Sequence, residues 1–201
     1  RVNSAATGTE LWKVDEAFSA SLVKDINPGA VGGFIGSLTV YHNLLYFFAD
    51  AGSGQDLWKS NGTAAGTVLG VDLDDEELAN ASGWYGLTVV NNDMFFTRNY
   101  EYGDYGDRYA DLWKTDGTPA ATTLVWQSTN GYYYNYLSNL VSHNGKLYFF
   151  HSLGDPAYHY ISESDGTAAG TRHIDLTSID GTPRELISAG NYILFYAESQ
   201  G

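Results

Sequence analysis

The chain has 201 residues, enough for one sizeable core, and its 15% aromatic content with 16 Tyr excludes a disordered polymer. Ten Lys and Arg against 24 Asp and Glu give a net charge of −14, which excludes a nucleic-acid partner, because such a protein needs a basic stripe, and disfavours anionic membranes. Cys is absent, which excludes disulfides, Cys-ligated zinc and thiol chemistry, and no apolar run approaches the ~18 residues of a spanning helix, so no membrane insertion is expected.

In chain order, the sequence begins at Arg1 rather than Met and reads as a processed or excised product. Glu10–Lys13 and Ser21–Ile26 read as two short strands. Ser37–Tyr41 and Leu44–Ala49 follow as a hairpin across His42-Asn43, and Asp56–Lys59 and Thr67–Val71 as another. Asn61-Gly62 is expected to turn that second hairpin tightly, since both residues tolerate positive φ. The same four-strand order recurs as Thr88–Val90, Met94–Arg98, Asp111–Lys114 and Thr123–Trp126, and again as Asn139–Ser142, Lys146–His151, Tyr160–Glu163 and Thr171–Asp175. Glu185–Ser188 and Tyr192–Ala197 supply two more strands.

The order reflects an internal repeat. Asp56-Leu57-Trp58-Lys59-Ser60-Asn61-Gly62-Thr63 returns as Asp111-Leu112-Trp113-Lys114-Thr115-Asp116-Gly117-Thr118. Ser164-Asp165-Gly166-Thr167 keeps the turn and Glu10-Leu11-Trp12-Lys13 keeps the strand. Aromatic runs precede each copy, and Phe47, Phe95, Phe149 and Phe195 are taken as equivalent. Such a period predicts an all-β, four-bladed β-propeller in one domain over residues 1–201. Blade 1 spans residues 36–72, blade 2 residues 86–127 and blade 3 residues 138–176. Blade 4 joins strands within 184–198 to N-terminal strands within 9–27, closing the ring and hiding sheet edges. Trp12, Trp58 and Trp113 are expected to pack between blades.

These segments, with the tail Leu22-Val23-Lys24-Asp25-Ile26-Asn27-Pro28-Gly29, resemble the ELWxxDGT repeat family. The resemblance implies a propeller-like, extracellular or cell-surface bacterial module without defined catalytic residues. The chain departs from the motif at Val14-Asp15-Glu16-Ala17, in place of the turn, and at Ser162, in place of Trp.

Function is expected where the copies differ, on the long loops. Those loops hold Trp84 and Tyr85; Tyr100, Tyr102, Asp104, Tyr105, Asp107 and Tyr109 within Asn99–Ala110; Tyr132, Tyr133, Tyr134 and Tyr136 within Gln127–Tyr136; and Asp155 with Tyr158. Tyr rings beside amides and carboxylates suit recognition of a cell-surface or matrix glycan or peptide. Asp72, Asp74 and Asp75 form an acidic DxDD run that lacks the Gly and Glu of an EF-hand, and make Ca²⁺ the candidate cofactor. An adhesion module is the leading expectation. The alternative is a fibre subunit that exchanges strands at the split blade, through self-association or with neighbouring domains. The third reading is a hydrolase or lyase with a funnel site. His42 and His143 read as one turn position in two blades, while His151 and His159 flank a loop as candidate ligands or bases without a nucleophile motif.

Overall fold

A computed structural model describes residues 2–4, 8–29, 32–73, 83–102, 107–128, 135–154, 158–176, 179 and 181–198. The protein is all-β, built from antiparallel meanders. Strands β1 (Val2–Ser4), β2 (Gly8–Val14) and β3 (Ala20–Lys24) make a three-stranded sheet in that order. β4 (Gly36–Tyr41), β5 (Leu44–Asp50), β6 (Gln55–Ser60) and β7 (Val68–Val71) make the first four-stranded sheet. β8 (Gly83–Val90), β9 (Asp93–Tyr102), β10 (Asp107–Thr115) and β11 (Thr123–Gln127) make the second. β12 (Asn135–His143), β13 (Lys146–Leu153), β14 (Tyr158–Ser164) and β15 (Arg172–Asp175) make the third. β16 (Thr182–Ala189) and β17 (Tyr192–Glu198) form a two-stranded sheet. Among the described residues no helix is long and apolar enough to cross a membrane.

The registers show which residues share a slot. Phe47 lies opposite Trp58, Phe96 opposite Trp113 and Phe149 opposite Ser162. Phe96 therefore fills the slot that the sequence reading gave to Phe95. The unbroken Met94-Phe95-Phe96 run carries no alternation from which to read the face. The histidines shift likewise: His143 pairs with Lys146 as Tyr41 pairs with Leu44, so His42 matches Asn144 and not His143. His42 and Asn43, at φ 47 and 62, form the turn itself.

The hairpins β4–β5, β8–β9, β12–β13 and β16–β17 each carry a bulge at one place, between Gly36/Thr39, Tyr85/Thr88, Ser138/Val141 and Arg184/Ile187. The first bulged residue has positive φ each time: Ser37, Gly86, Asn139 and Glu185. A second register shift precedes Trp12, Trp58 and Trp113 in β2–β3, β6–β7 and β10–β11. β14–β15, where Ser162 replaces Trp, runs without a shift. The indole N–H groups of the three Trp are buried without a hydrogen-bond partner among the described residues, so these rings contribute area rather than hydrogen bonds.

The acidic residue that opens each Trp-bearing strand accepts backbone hydrogen bonds in the first two copies. Ile26 N–H donates to Glu10 Oε2 at 2.8 Å and Leu73 N–H donates to Asp56 Oδ1 at 2.7 Å. Each carboxylate thus satisfies the backbone where the outer strand ends.

The turn after the motif is not the tight Asn-Gly hairpin expected. Of its two residues only Gly62 has positive φ. Thr63 N–H and Oγ1 both donate to Asn61 Oδ1, at 3.0 and 2.7 Å, and Gly66 N–H donates to Thr63 Oγ1 at 3.0 Å. The same three bonds recur on Asp165, Thr167 and Gly170 at 2.9, 2.7 and 3.0 Å. Hydroxyl pairs close both loops: Ser60 with Thr67, and Ser164 with Thr171, each at 2.7 Å. This is an Asx-turn network that spans the whole motif. A Cβ on Gly66 or Gly170 would land on the Asn61 or Asp165 side chain, so glycine is required there. The middle copy has Ala121 at that position and uses a 3₁₀ turn, Pro119–Ala121.

Two compact units emerge: residues 1–76 with 117–120, and residues 77–116 with 121–201. In the first, Leu11, Val23 and Ile26 pack against Ile35, Phe47, Ala49 and Trp58, so the β2–β3 hairpin lies face-on to the β4–β7 sheet. In the second, Phe95, Ala110 and Leu112 pack against Leu137, Leu147 and Phe149. The far face of that third sheet, through Phe150 and Ile161, packs against Leu186, Ile193 and Phe195. Each contact joins the Leu face of one sheet to the Phe face of the next. Among the described residues β17 pairs only with β16, and β2 pairs with β1 and β3.

Candidate functional site

The segment Asn99–Ala110, read from sequence as a loop, is mostly strand. β9 and β10 stay paired out to Tyr102 and Asp107. Two cross-strand pairs hold this extension: Tyr100 stacks on Tyr109 with centroids 5.5 Å apart, and Arg108 Nε donates to Glu101 Oε1 at 2.9 Å. Tyr and charged side chains alternate here, which is a strand pattern that the interspersed glycines obscured.

Beside this extension the second unit has a cavity of about 390 Å³, walled by β8, β9, β10 and β12. Tyr85, Tyr100 and Tyr136 line it, with Arg108, Glu101, Asn99, Asn135 and Leu137. Asn99 fixes one wall: Leu137 N–H donates to its Oδ1 at 3.0 Å while its Nδ2 donates to Leu137 O at 3.2 Å. That side chain stands in for a strand partner and ties β12 to β9. Arg108 also donates to the Tyr136 hydroxyl, and its guanidinium lies 5.2 Å from the Tyr136 ring centre. The cavity therefore offers aromatic walls, the exposed Asn139 amide and a planar cation already oriented by a carboxylate. Burial raises the Tyr100 phenol above its ordinary value, and the hydrogen bond from Gln127 opposes this only in part.

A buried layer supports this end of the sheet. Arg98 donates to Asp111 Oδ2 through Nη2 at 2.8 Å and Nε at 3.2 Å. Its guanidinium lies 4.6 Å from the Tyr100 ring centre, 5.2 Å from Trp84 and 5.9 Å from Trp113. Trp84 itself packs edge-on to Phe96 and Trp113. Trp84, expected to meet ligand, is thus a buried residue beneath the site: it is the second residue of β8, where its ring turns inward onto Phe96 and Trp113.

The other expected residues divide as follows. Tyr85 and Tyr100 reach the cavity, and Tyr109 backs Tyr100 from outside it. Asp107 heads β10 without lining the cavity, and Tyr158 is exposed at the start of β14. The side chain of Tyr102 and the residues Asp104, Tyr105, Tyr132, Tyr133, Tyr134 and Asp155 lie outside what is described. Of Asp72, Asp74 and Asp75 only Asp72 is described, and it is exposed. Among the described residues no group of three or more His, Asp or Glu side chains is arranged to hold a metal ion. Tyr136, named from sequence with its loop, reaches the cavity as well, whereas Arg108, Glu101 and Asn135 were not singled out. The one available signal was their place at strand ends flanking Tyr-rich segments.

His151 and His159, both singled out from sequence, take different hydrogen-bond partners. His159 bonds Ser152 Oγ through Nδ1 at 2.9 Å. His151 is 2% exposed, with Nε2 on Asn135 Oδ1 at 3.1 Å and its ring 4.9 Å from that of His173. Trp126 and Tyr160 complete its surroundings at 5.2 and 6.1 Å. Burial, assisted by the neighbouring His173, lowers His151 to about 4, so it is a neutral core residue at neutral pH.

Comparison of the chain with protein-family models, curated proteins and solved structures returned no match.

Proposed function

We propose that the protein is an extracellular binding or adhesion module that takes a glycan or peptide on the Tyr-rich end of its second unit. The observation that carries this reading is the 390 Å³ cavity with Tyr85, Tyr100 and Tyr136 on its walls and the Arg108–Glu101 pair at its side. Aromatic faces stack on sugar C–H groups or peptide side chains, while amides and the guanidinium hydrogen-bond hydroxyls or carboxylates. The sheets are read as blades of a propeller-like repeat module of the ELWxxDGT type. Their face-to-face order within each unit and their recurring bulges support that reading. The fourth blade is the one that combines β16–β17 with a β2–β3 hairpin. Calcium belongs to the proposal through the acidic Asp72–Asp75 run, which precedes Tyr85 in the sequence.

The test is a glycan array and a peptide array, each read in Ca²⁺ and in chelator. Binding should appear on one of them, and Tyr136→Ala and Arg108→Ala should each weaken it about tenfold or more. Loss of signal in chelator would assign the cation a part. Silence on both arrays under both conditions would remove the binding reading.

A further inference from the structure

Three neighbouring slots of the third sheet depart together from the first two. The slot opposite the shared Phe holds Trp58 and Trp113 in those sheets and Ser162 here. Its partner on the outer strand is Leu69 or Leu124 there and His173 here. Two residues on from the shared Phe, Ala49 and Arg98 give way to His151. The loss of one indole and the gain of two imidazoles fall on one face of one sheet, because side chains two apart along a strand share a face.

The two imidazoles meet there, with ring centres 4.9 Å apart and planes tilted by 47°. An ion held at ~2.0–2.1 Å by one nitrogen of each ring would set the ring centres about 5 Å apart. Each ring already has its other nitrogen anchored. His151 Nε2 donates to Asn135 Oδ1 at 3.1 Å, so its Nδ1 carries the lone pair. That Nδ1 is buried and has no hydrogen-bond partner among the described residues, a costly state unless something satisfies it. His173 Nδ1 bonds Ser162 Oγ at 2.7 Å, and Ser162 supplies this contact from the slot that Trp fills in the other copies. An outer hydrogen bond on one nitrogen orients the ring and makes the other nitrogen a better donor to a metal.

We propose that His151 Nδ1 and His173 Nε2 bind a transition-metal ion of the Zn²⁺, Ni²⁺ or Cu²⁺ class, with water in the remaining positions. Imidazole suits these ions, whereas Ca²⁺ and Mg²⁺ take oxygen donors. Among the described residues no carboxylate joins the pair to make a three-group cluster, so the protein holds the ion from one side. His151 is the buried wall of the site, and His173, exposed on the outer strand β15, admits the ion. Trp126 packs edge-on to both imidazoles, at 5.2 and 5.7 Å, and so reports on the site. The inference goes beyond ligand binding, since of these residues only Asn135 lines the cavity.

Calorimetric titration of the intact chain with Zn²⁺ and with Ni²⁺ should show one ion bound per chain. Cu²⁺ should quench the part of the fluorescence that Trp126→Phe removes. His151→Gln and His173→Gln should each weaken binding about tenfold or more. His173→Gln, at an exposed position, should do so with an unchanged circular dichroism spectrum, which separates loss of a ligand from loss of the fold. His42→Gln, in the turn between β4 and β5, should bind as the unmodified chain does. No binding of either ion, binding that His173→Gln leaves intact, or an equal loss in His42→Gln, the mark of adventitious surface imidazoles, would overturn the proposal.

Discussion

Sheets β8–β11 and β12–β15 solve the same slot in opposite ways. Arg98 faces Asp111 across β9 and β10, and at the equivalent rung His151 faces Tyr160 across β13 and β14. One sheet buries a charge pair under three aromatic rings, and the other buries a neutral imidazole among Trp126, Tyr160 and His173. A rung that holds Ala49 opposite Asp56 in the first sheet thus accepts an ion pair or a ring set, provided every charge is matched. The strand scaffold is tolerant, and the burden of specificity falls on pairs of residues.

The largest effect should come from breaking the ion pair. Asp111→Ala leaves Arg98 buried without its carboxylate and should cost about 3–5 kcal/mol in urea melts. The equivalent Tyr160→Ala removes no charge and should cost less. Acid should then separate the two sheets. His151 titrates near 6.5 when unfolded and at about 4 when folded, so its neutral form contributes fully above about pH 6.5. That contribution, roughly 3 kcal/mol, is lost as pH falls toward 4, and His151→Gln should flatten the decline.

Ser162→Trp tests whether the motif residue alone makes the bulge. Ser162 is fully buried and bonded to His173 Nδ1 at 2.7 Å. Without a bulge the indole should overpack and cost ~1–3 kcal/mol in the same melts. The smallest effect should follow Asp165→Ala, which unties the turn of the third sheet. The midpoint of the urea melt should fall least of the set, since the lost Asx bonds are exposed to water, with array binding unchanged.

Strand order and hairpin connections were legible because the motif copies, aromatic runs and turn residues repeat at nearly fixed spacing. What escaped was information that crosses strands. Phe95 and Phe96 differ by one residue in sequence but by a whole face in the sheet. His151 and His173 stand 22 residues apart, and only the meander brings them together. The cavity was half legible: Tyr85 and Tyr100 came from their place in segments where the copies differ, while Arg108 and Glu101 needed the β9–β10 register to face each other. Trp84 looked like a recognition residue because it falls in a long segment where the copies differ. Its ring turns inward instead, onto Phe96 and Trp113.

The bulge shared by the four hairpins has a consequence for how such a chain ages. Its left-handed residue is Gly once, and Ser, Asn and Glu elsewhere. Ser37 and Glu185 each hold a conformation that costs a non-glycine residue about 1 kcal/mol. The bend survives all four letters, so shape outlasts spelling at these sites. A lineage built on this hairpin can drift far in sequence while its backbone barely moves, and a glycine at 185 would be a cheap way back toward robustness.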